Sequence, residues 1–232
     1  QALERHQIMK FMLYQDQQEA ANALTDIVGK QLQAAILDRG KASIAVPGGT
    51  TPILFLQALG EVELDWSKIN VTTTDERQVA LHHPRSNARL VNEMLLSRSA
   101  NEAIFFALNH LLGVRQLNDQ FKEYFSPLDV CVLGMGDDGH TASLFPGIDQ
   151  QWLAPDCSSL IAMIDPPGDL EPRVTLTARA LLTARDIHIL IHGEAKHTVL
   201  QNALSGDDIS VMPVRSILQH AKDRVVVHYA KN

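Results

Sequence analysis

The chain has 232 residues, 45% of them apolar, and a formal net charge of −7. That length and composition suit a globular core and exclude a disordered or collagen-like chain, and the acidic balance argues against a non-specific nucleic-acid binder. No apolar run is long enough to span a bilayer, and two cysteines, Cys131 and Cys157, make no disulfide framework, so a cytoplasmic protein without a membrane partner is expected.

The stretch Gln1–Lys10 is polar and mixed, with no apolar signal-peptide core; residues before Met9 read either as an added remnant or as part of a longer native start. A first helix is predicted from Gln17 to about Asp38. Asp16 caps it, Glu19 completes a capping box, and Leu24, Ile27, Val28, Leu32, Ala35 and Ile36 form its apolar face before Arg39-Gly40 ends it. Ala42–Val46 reads as a strand running into Pro47-Gly48-Gly49-Thr50-Thr51-Pro52 and a helix from Ile53 to Leu59, with Thr51 as N-cap and Pro52 at the first helical position. Asn70–Thr74 reads as a strand followed by Asp75-Glu76-Arg77. Ser86-Asn87 opens a helix carrying Leu90, Val91, Met94 and Leu95, and Ile104–Leu108 is a further strand. Apart from that strand, the stretch from Ser97 to Leu117 has no clear pattern.

Leu128–Leu133 is a strongly apolar strand leading into Gly134-Met135-Gly136-Asp137-Asp138-Gly139-His140. Ser159–Met163 and Arg173–Thr177 read as strands joined through Pro166-Pro167-Gly168. Ile187–Ile191 precedes His192-Gly193 and a helix bearing Lys196, and Val225–Tyr229 is the last strand. Strands alternating with helices indicate an α/β chain with a mostly parallel sheet. Thr50, Arg77, His140 and Lys196 each lie in a polar or glycine-rich cluster that follows a strand. In a parallel sheet these clusters share the carboxyl edge, where such sheets bind ligands.

The Gly48–Pro52 turn reads either as a tight capped connection or as an anion cradle of backbone N–H groups and hydroxyls at a helix start. Gly134–Gly139 matches the glycine spacing of a dinucleotide site. Asp137 and Asp138 would repel a pyrophosphate, however, His140 stands where a P-loop has lysine, and Pro146 leaves little room for a helix. The same loop can instead hold His140 as a general base, with Asp138 orienting its ring. Asp75-Glu76-Arg77 is either a solvated charged turn or a source of an oxyanion partner, Arg77, whose charge-assisted hydrogen bond would contribute roughly 1.5–3 kcal/mol. Lys196 and Arg173 are candidate phosphate contacts. A metal is not expected: His82 and His83 are adjacent, and His188 and His192 share a strand face without a third ligand. No serine elbow or cysteine nucleophile is present.

Taken together, Gly48-Gly49-Thr50-Thr51-Pro52, Asp75-Glu76-Arg77, Ser86-Asn87, the Leu133–Gly147 segment, the Arg173–Thr177 run and Gly193-Glu194-Ala195-Lys196 resemble the bacterial-type 6-phosphogluconolactonases, over nearly the whole chain. The resemblance implies a three-layer α/β/α fold with a mostly parallel, Rossmann-like central sheet, shared with glucosamine-6-phosphate deaminases and ribose-5-phosphate isomerases. It implies one domain over residues 1–232, no cofactor, and a sugar-phosphate lactone as partner; oligomeric state stays open. It also implies His140 as general base and Arg77 as carbonyl or oxyanion partner, supported by Asp138 and Asp75. Gly48, Gly49, Thr50, Thr51, Asn87, Gly136, Arg173 and Lys196 would lie at the substrate and its phosphate.

Pro47 and Thr50 stand where the family often has serine, and Thr73-Thr74 replaces a more hydrophobic lead, which leaves open which hydroxyl meets phosphate. The deaminase sibling carries a glutamate before the proline where this chain has Phe145, and a tyrosine where it has Arg77. A sugar-phosphate isomerase or deaminase, and a non-catalytic sugar-phosphate sensor, are the competing readings.

Overall fold

The computed structural model describes residues 9–232. The elements in chain order are β1 (Lys10–Tyr14), α1 (Gln17–Arg39), β2 (Ala42–Val46), α2 (Ile53–Gly60), β3 (Ile69–Thr73), β4 (Asp75–Arg77), α3 (Asn87–Met94), β5 (Ile104–Phe106) and α4 (Val114–Phe125). They continue with β6 (Val130–Leu133), β7 (Ile161–Ile164), β8 (Arg173–Leu176), α5 (Ala178–Leu182), β9 (Asp186–His192), α6 (Glu194–Leu204), α7 (Val214–His220) and β10 (Val225–Ala230).

Seven strands form one sheet in the order β1-β10-β9-β6-β2-β3-β5, and every neighbouring pair is parallel. Side chains alternate between its faces. Ala45, Cys131, Leu133, Ile187 and Ile189 pack with α4, α5, α6 and α7 on one side. Ile44, Val46, Val71, Val130, Val132 and Leu190 pack with α1, α2 and α3 on the other. The central strands β2 and β6, covered on both faces, bury every position, which is why they read as continuous apolar runs. The expected α/β/α layering is therefore the observed one.

Several local expectations hold to the residue. The Asp16 carboxylate accepts from the Glu19 N–H at 2.9 Å, and α1 ends at Gly40, whose φ of 77° lets its N–H donate to the Ile36 carbonyl at 2.8 Å. Glu19 reaches back to the Gln15 N–H at 2.7 Å, one residue beyond the usual capping-box partner. Ser86 caps α3 through a 3.2 Å bond from the Arg89 N–H.

Others are corrected. Pro52, not Thr51, takes the N-cap position of α2, and no side chain caps that helix. Asp75-Glu76-Arg77 is a strand, not a turn: it pairs antiparallel with β8 in a second sheet of order β4-β8-β7. The strand expected from Ser159 begins at Ile161, because the Asn118 side chain takes the Leu160 N–H at 2.7 Å. Lys10, read as part of the polar start, opens the edge strand β1; the reading of the residues before Met9 lies outside the described residues. Helix α4, which begins in the stretch without a clear pattern and runs eight residues beyond it, was not expected; it buries Leu117, Phe121 and Phe125 at four-residue spacing.

Candidate active site

The sheet reverses its winding between β2 and β6: β3 and β5 lie to one side of β2, and β6, β9 and β10 to the other. Loops leaving such a switch point diverge and open a crevice at the carboxyl edge. A cavity of about 300 Å³ occupies it, lined by the glycine turn after β2, the loop after β6, and the Arg77, Asn87, Arg173 and Lys196 side chains. Of the expected site residues, only Asp138 is not in its wall.

Asp138 stands behind the histidine. Its Oδ1 lies 2.6 Å from His140 Nδ1 and accepts from the His140 backbone N–H at 3.0 Å. Burial acts to raise the Asp138 pKa, but those bonds and the attraction of the His140 charge outweigh it and hold the carboxyl below its ordinary value. An ionised Asp138 assigns the ring hydrogen to Nδ1 and leaves the Nε2 lone pair free. The ring lies on the backbone of Gly136, where a Cβ would come within 2.0 Å of Nδ1, and it also packs on the Phe145 ring, 4.7 Å between centroids. The Gly136 N–H donates to the His140 carbonyl at 2.8 Å, and the Thr141 hydroxyl to the Gly134 carbonyl at 2.8 Å. These bonds fold the loop on itself, and no helix follows within residues 134–149, so the dinucleotide-like glycine spacing has no helix start to aim at a pyrophosphate.

The opposite wall carries two guanidinium groups. Arg77 and Arg173 are direct cross-strand partners of β4 and β8. Like charges in that position repel unless an anion lies between or beside them. Burial, and next the Arg77 charge, push the Arg173 guanidinium below its ordinary pKa, against the opposing pull of Asp75 and Glu171. Arg173 Nη1 is 3.8 Å from Asp75 Oδ2, and its guanidinium lies 5.7 Å from the centre of the Phe145 ring. Arg77 donates from Nη1 to the Arg85 carbonyl at 2.7 Å, while its buried Nε has no hydrogen-bond partner among the described residues. Asp75 is itself fixed by the Ser143 hydroxyl at 2.6 Å and, through its carbonyl, by the Asn87 amide at 2.8 Å. Ala142, beside Ser143, holds a φ of 50°, a left-handed conformation costly for alanine, in the cavity wall.

Glu76 organises this wall and was missed by sequence reasoning. It is 1% exposed. Its carboxylate accepts the Arg77, Asn87 and Ala88 N–H groups at 2.8, 2.7 and 2.7 Å, and the Ser86 hydroxyl at 3.1 Å. An acid at a helix N-terminus neutralises its unpaired donors, and here it ties α3 to β4. The acid sits eleven residues before the first residue of the helix it serves, so no local pattern announces it.

In the glycine turn after β2, Gly49 holds a φ of 87°, and a Cβ on Gly48 would fall 1.9 Å from Asn87 Oδ1. Glycine is required there for the Asn87 amide to pass. Lys196, in the first turn of α6, donates to the Met135 carbonyl at 2.8 Å and contacts exposed Asp137 at 2.7 Å, so it also anchors the histidine loop. His188 and His192 do share a strand face, but His188 is sealed in the core against His228 and Gln31, while His192 reaches the cavity.

Residues 15–227 match the family model for glucosamine-6-phosphate isomerases/6-phosphogluconolactonase. A 6-phosphogluconolactonase of Rhizobium meliloti (strain 1021) is 39% identical over 225 residues, covering 94% of this chain and 97% of the relative. One from Pseudomonas aeruginosa is 40% identical, covering 87% of each. The crystal structure of a 6-phosphogluconolactonase from Shewanella baltica OS155 superposes with a TM-score of 0.91 at 34% identity, over 96% of this chain and 97% of that one. A monomeric glucosamine-6-phosphate deaminase reaches 0.80 at 18% identity, a likeness of fold.

Proposed function

The chain belongs to the glucosamine-6-phosphate isomerase/6-phosphogluconolactonase family, and we propose that it hydrolyses 6-phospho-D-glucono-1,5-lactone to 6-phosphogluconate in the oxidative pentose phosphate pathway, with His140 as general base and Arg77 as oxyanion partner. The observation that carries this reading is the placing of the His140–Asp138 couple and the Arg77–Arg173 cation pair around one cavity that also holds the glycine turn and Lys196.

In the proposed reaction, His140 Nε2 takes a proton from a water molecule as its oxygen attacks the lactone carbonyl carbon. The carbonyl π electrons move to oxygen, and Arg77 stabilises the resulting oxyanion, with Arg173 adding a second positive charge to the same wall. When the intermediate collapses, the bond to the ring oxygen breaks and the protonated imidazole returns its proton to that oxygen. The product acid then ionises. Asp138 keeps the ring in the tautomer this needs and stabilises its charged form. Positioned proton transfer contributes ~10²–10⁴-fold and oxyanion stabilisation a comparable factor. Lys196 and the Gly48–Thr51 turn hold the phosphate, fixing the lactone carbon in place.

Phe145 favours hydrolysis over the deaminase reading. An apolar ring packs on His140 where the sibling chemistry has a carboxylate, so no second acid–base group flanks the imidazole at that point. A cytoplasmic location and a single working domain belong to the same proposal; among the described residues no helix is long and apolar enough to cross a membrane.

The test is acid release from freshly prepared 6-phosphogluconolactone above its spontaneous rate. The wild type should accelerate it, and His140→Ala should lose at least ~10²-fold in kcat while retaining 6-phosphogluconate binding. Undiminished turnover in that variant removes His140 from the mechanism, and ammonia release from glucosamine 6-phosphate would favour the deaminase.

A further inference from the structure

Strand β9 ends on a histidine that the reaction above does not use. Alternation along β9 places Ile187, Ile189 and Ile191 in the core with α5, α6 and α7. His188, Leu190 and His192 take the opposite face, where Leu190 joins the core of α1 and α2 and His188 bonds to Gln31 of α1. That is the side of the sheet on which α2, and so the glycine turn before it, is packed. His192 lines the cavity together with Thr50, Thr51 and Lys196, which follows it by four residues in the first turn of α6. Its Nδ1 is buried and has no hydrogen-bond partner among the described residues. A buried N–H without an acceptor is rarer and costlier than a bare ring acceptor. The favoured tautomer therefore leaves Nδ1 bare and carries its hydrogen on Nε2, as a donor.

We infer that His192 contacts the substrate at the phosphate end of the cavity, donating a hydrogen bond from Nε2 to a phosphate-monoester oxygen and so selecting phosphorylated over plain sugar lactones. Lys196 already uses donors on the Met135 carbonyl and Asp137, so a further donor beside it supplies what a many-oxygened anion needs. The inference rests on the lactonase reading for its substrate and on the placing of His192 for its role.

Steady-state hydrolysis of 6-phosphogluconolactone and of unphosphorylated glucono-1,5-lactone is compared for wild type, His192→Ala and His192→Gln, with 6-phosphogluconate binding followed by calorimetry. In the Ala variant KM for the phosphorylated lactone should rise about tenfold, the loss of one hydrogen bond to a charged oxygen. Its kcat should stay within about twofold, and kcat/KM on the plain lactone should not change. His192→Gln, which keeps an N–H near the Nε2 position, should recover most of the loss. A fall in kcat at constant KM, equal losses on both lactones, equal losses in both variants, or no change in either would each overturn the inference. If wild type turns over neither lactone, the lactonase reading fails by itself. The binding measurement then still decides His192: about tenfold weaker 6-phosphogluconate binding in the Ala variant supports it, and unchanged binding overturns it.

Discussion

Lowering the pH from about 7.5 to about 5 should destabilise the folded protein through two histidines far from the cavity. Tyr14, His228, His188 and Gln31 form a buried chain. The Tyr14 hydroxyl is 2.9 Å from His228 Nδ1, His228 Nε2 is 3.0 Å from His188 Nδ1, and His188 Nε2 is 2.9 Å from the Gln31 carbonyl oxygen. With each ring neutral, every link has one donor and one acceptor: tyrosine donates to His228, His228 to His188, and His188 to the amide. A proton added to either ring must reverse the donors and acceptors along the chain as far as the Tyr14 hydroxyl, and it leaves a positive charge in a poorly hydrated interior with no carboxylate in the chain to balance it. Burial pushes the His188 pKa down to about 3, helped by the neighbouring His228, and burial alone pushes His228 to about 4.

Both folded values lie below the unfolded value of ~6.5, so the unfolded chain binds more protons and stability falls as the pH drops through that value. At pH ~5 each ring is ~1.5 units below the unfolded pKa and still neutral in the folded state, which costs ~2 kcal/mol per histidine, or ~4 kcal/mol for the pair. That is a large share of a typical domain stability of ~5–15 kcal/mol. Carboxylates of ordinary pKa barely titrate in this window, so it isolates imidazole ionisation. Urea unfolding at the two pH values should show the loss as a lower midpoint, and NMR titration should show both ring signals without ionisation down to about pH 5. Ring signals titrating near 6.5, or a midpoint independent of pH, would refute the reasoning.

Other consequences follow from the site's construction. Gly136→Ala places a Cβ within 2.0 Å of His140 Nδ1, so the ring must leave Asp138; kcat should fall at least ~10²-fold with little change in melting temperature, read by lactone hydrolysis beside calorimetry. Glu76→Gln replaces an acceptor-only carboxylate with a group that turns an NH₂ toward backbone N–H donors. Because Glu76 serves three of these and a hydroxyl while 1% exposed, stability should fall by ~2–4 kcal/mol, measured by urea unfolding.

Local chemistry made much of the molecule legible. The cap at Asp16, the stop at Gly40 and the strand Ala42–Val46 depend on neighbours within a few residues, and each appears as expected. The alternation of strands and helices implied a parallel sheet, and a parallel sheet places the segments after its strands along one edge. His140, Thr50, Arg77 and Lys196 could therefore be grouped before any coordinate was known. Helix α4 was missed: the spacing of Leu117, Phe121 and Phe125 carries its signal, but the polar residues between them obscured it.

By itself, then, the amino-acid order determined the elements whose signals are short-range and, through their alternation, which loops would meet. Tertiary structure alone decided that Asp75-Glu76-Arg77 pairs with β8 as a strand, that Arg77 and Arg173 stand side by side, that Glu76 caps a helix beginning eleven residues later, and that His188 is sealed in the core while His192 opens on the cavity. The physical reason is the range of the forces concerned. Capping and turn propensity act over one helical turn, whereas burial, and the partner a charge or imidazole finds once water is excluded, depend on segments distant in the chain and brought together only when both faces of the sheet are covered.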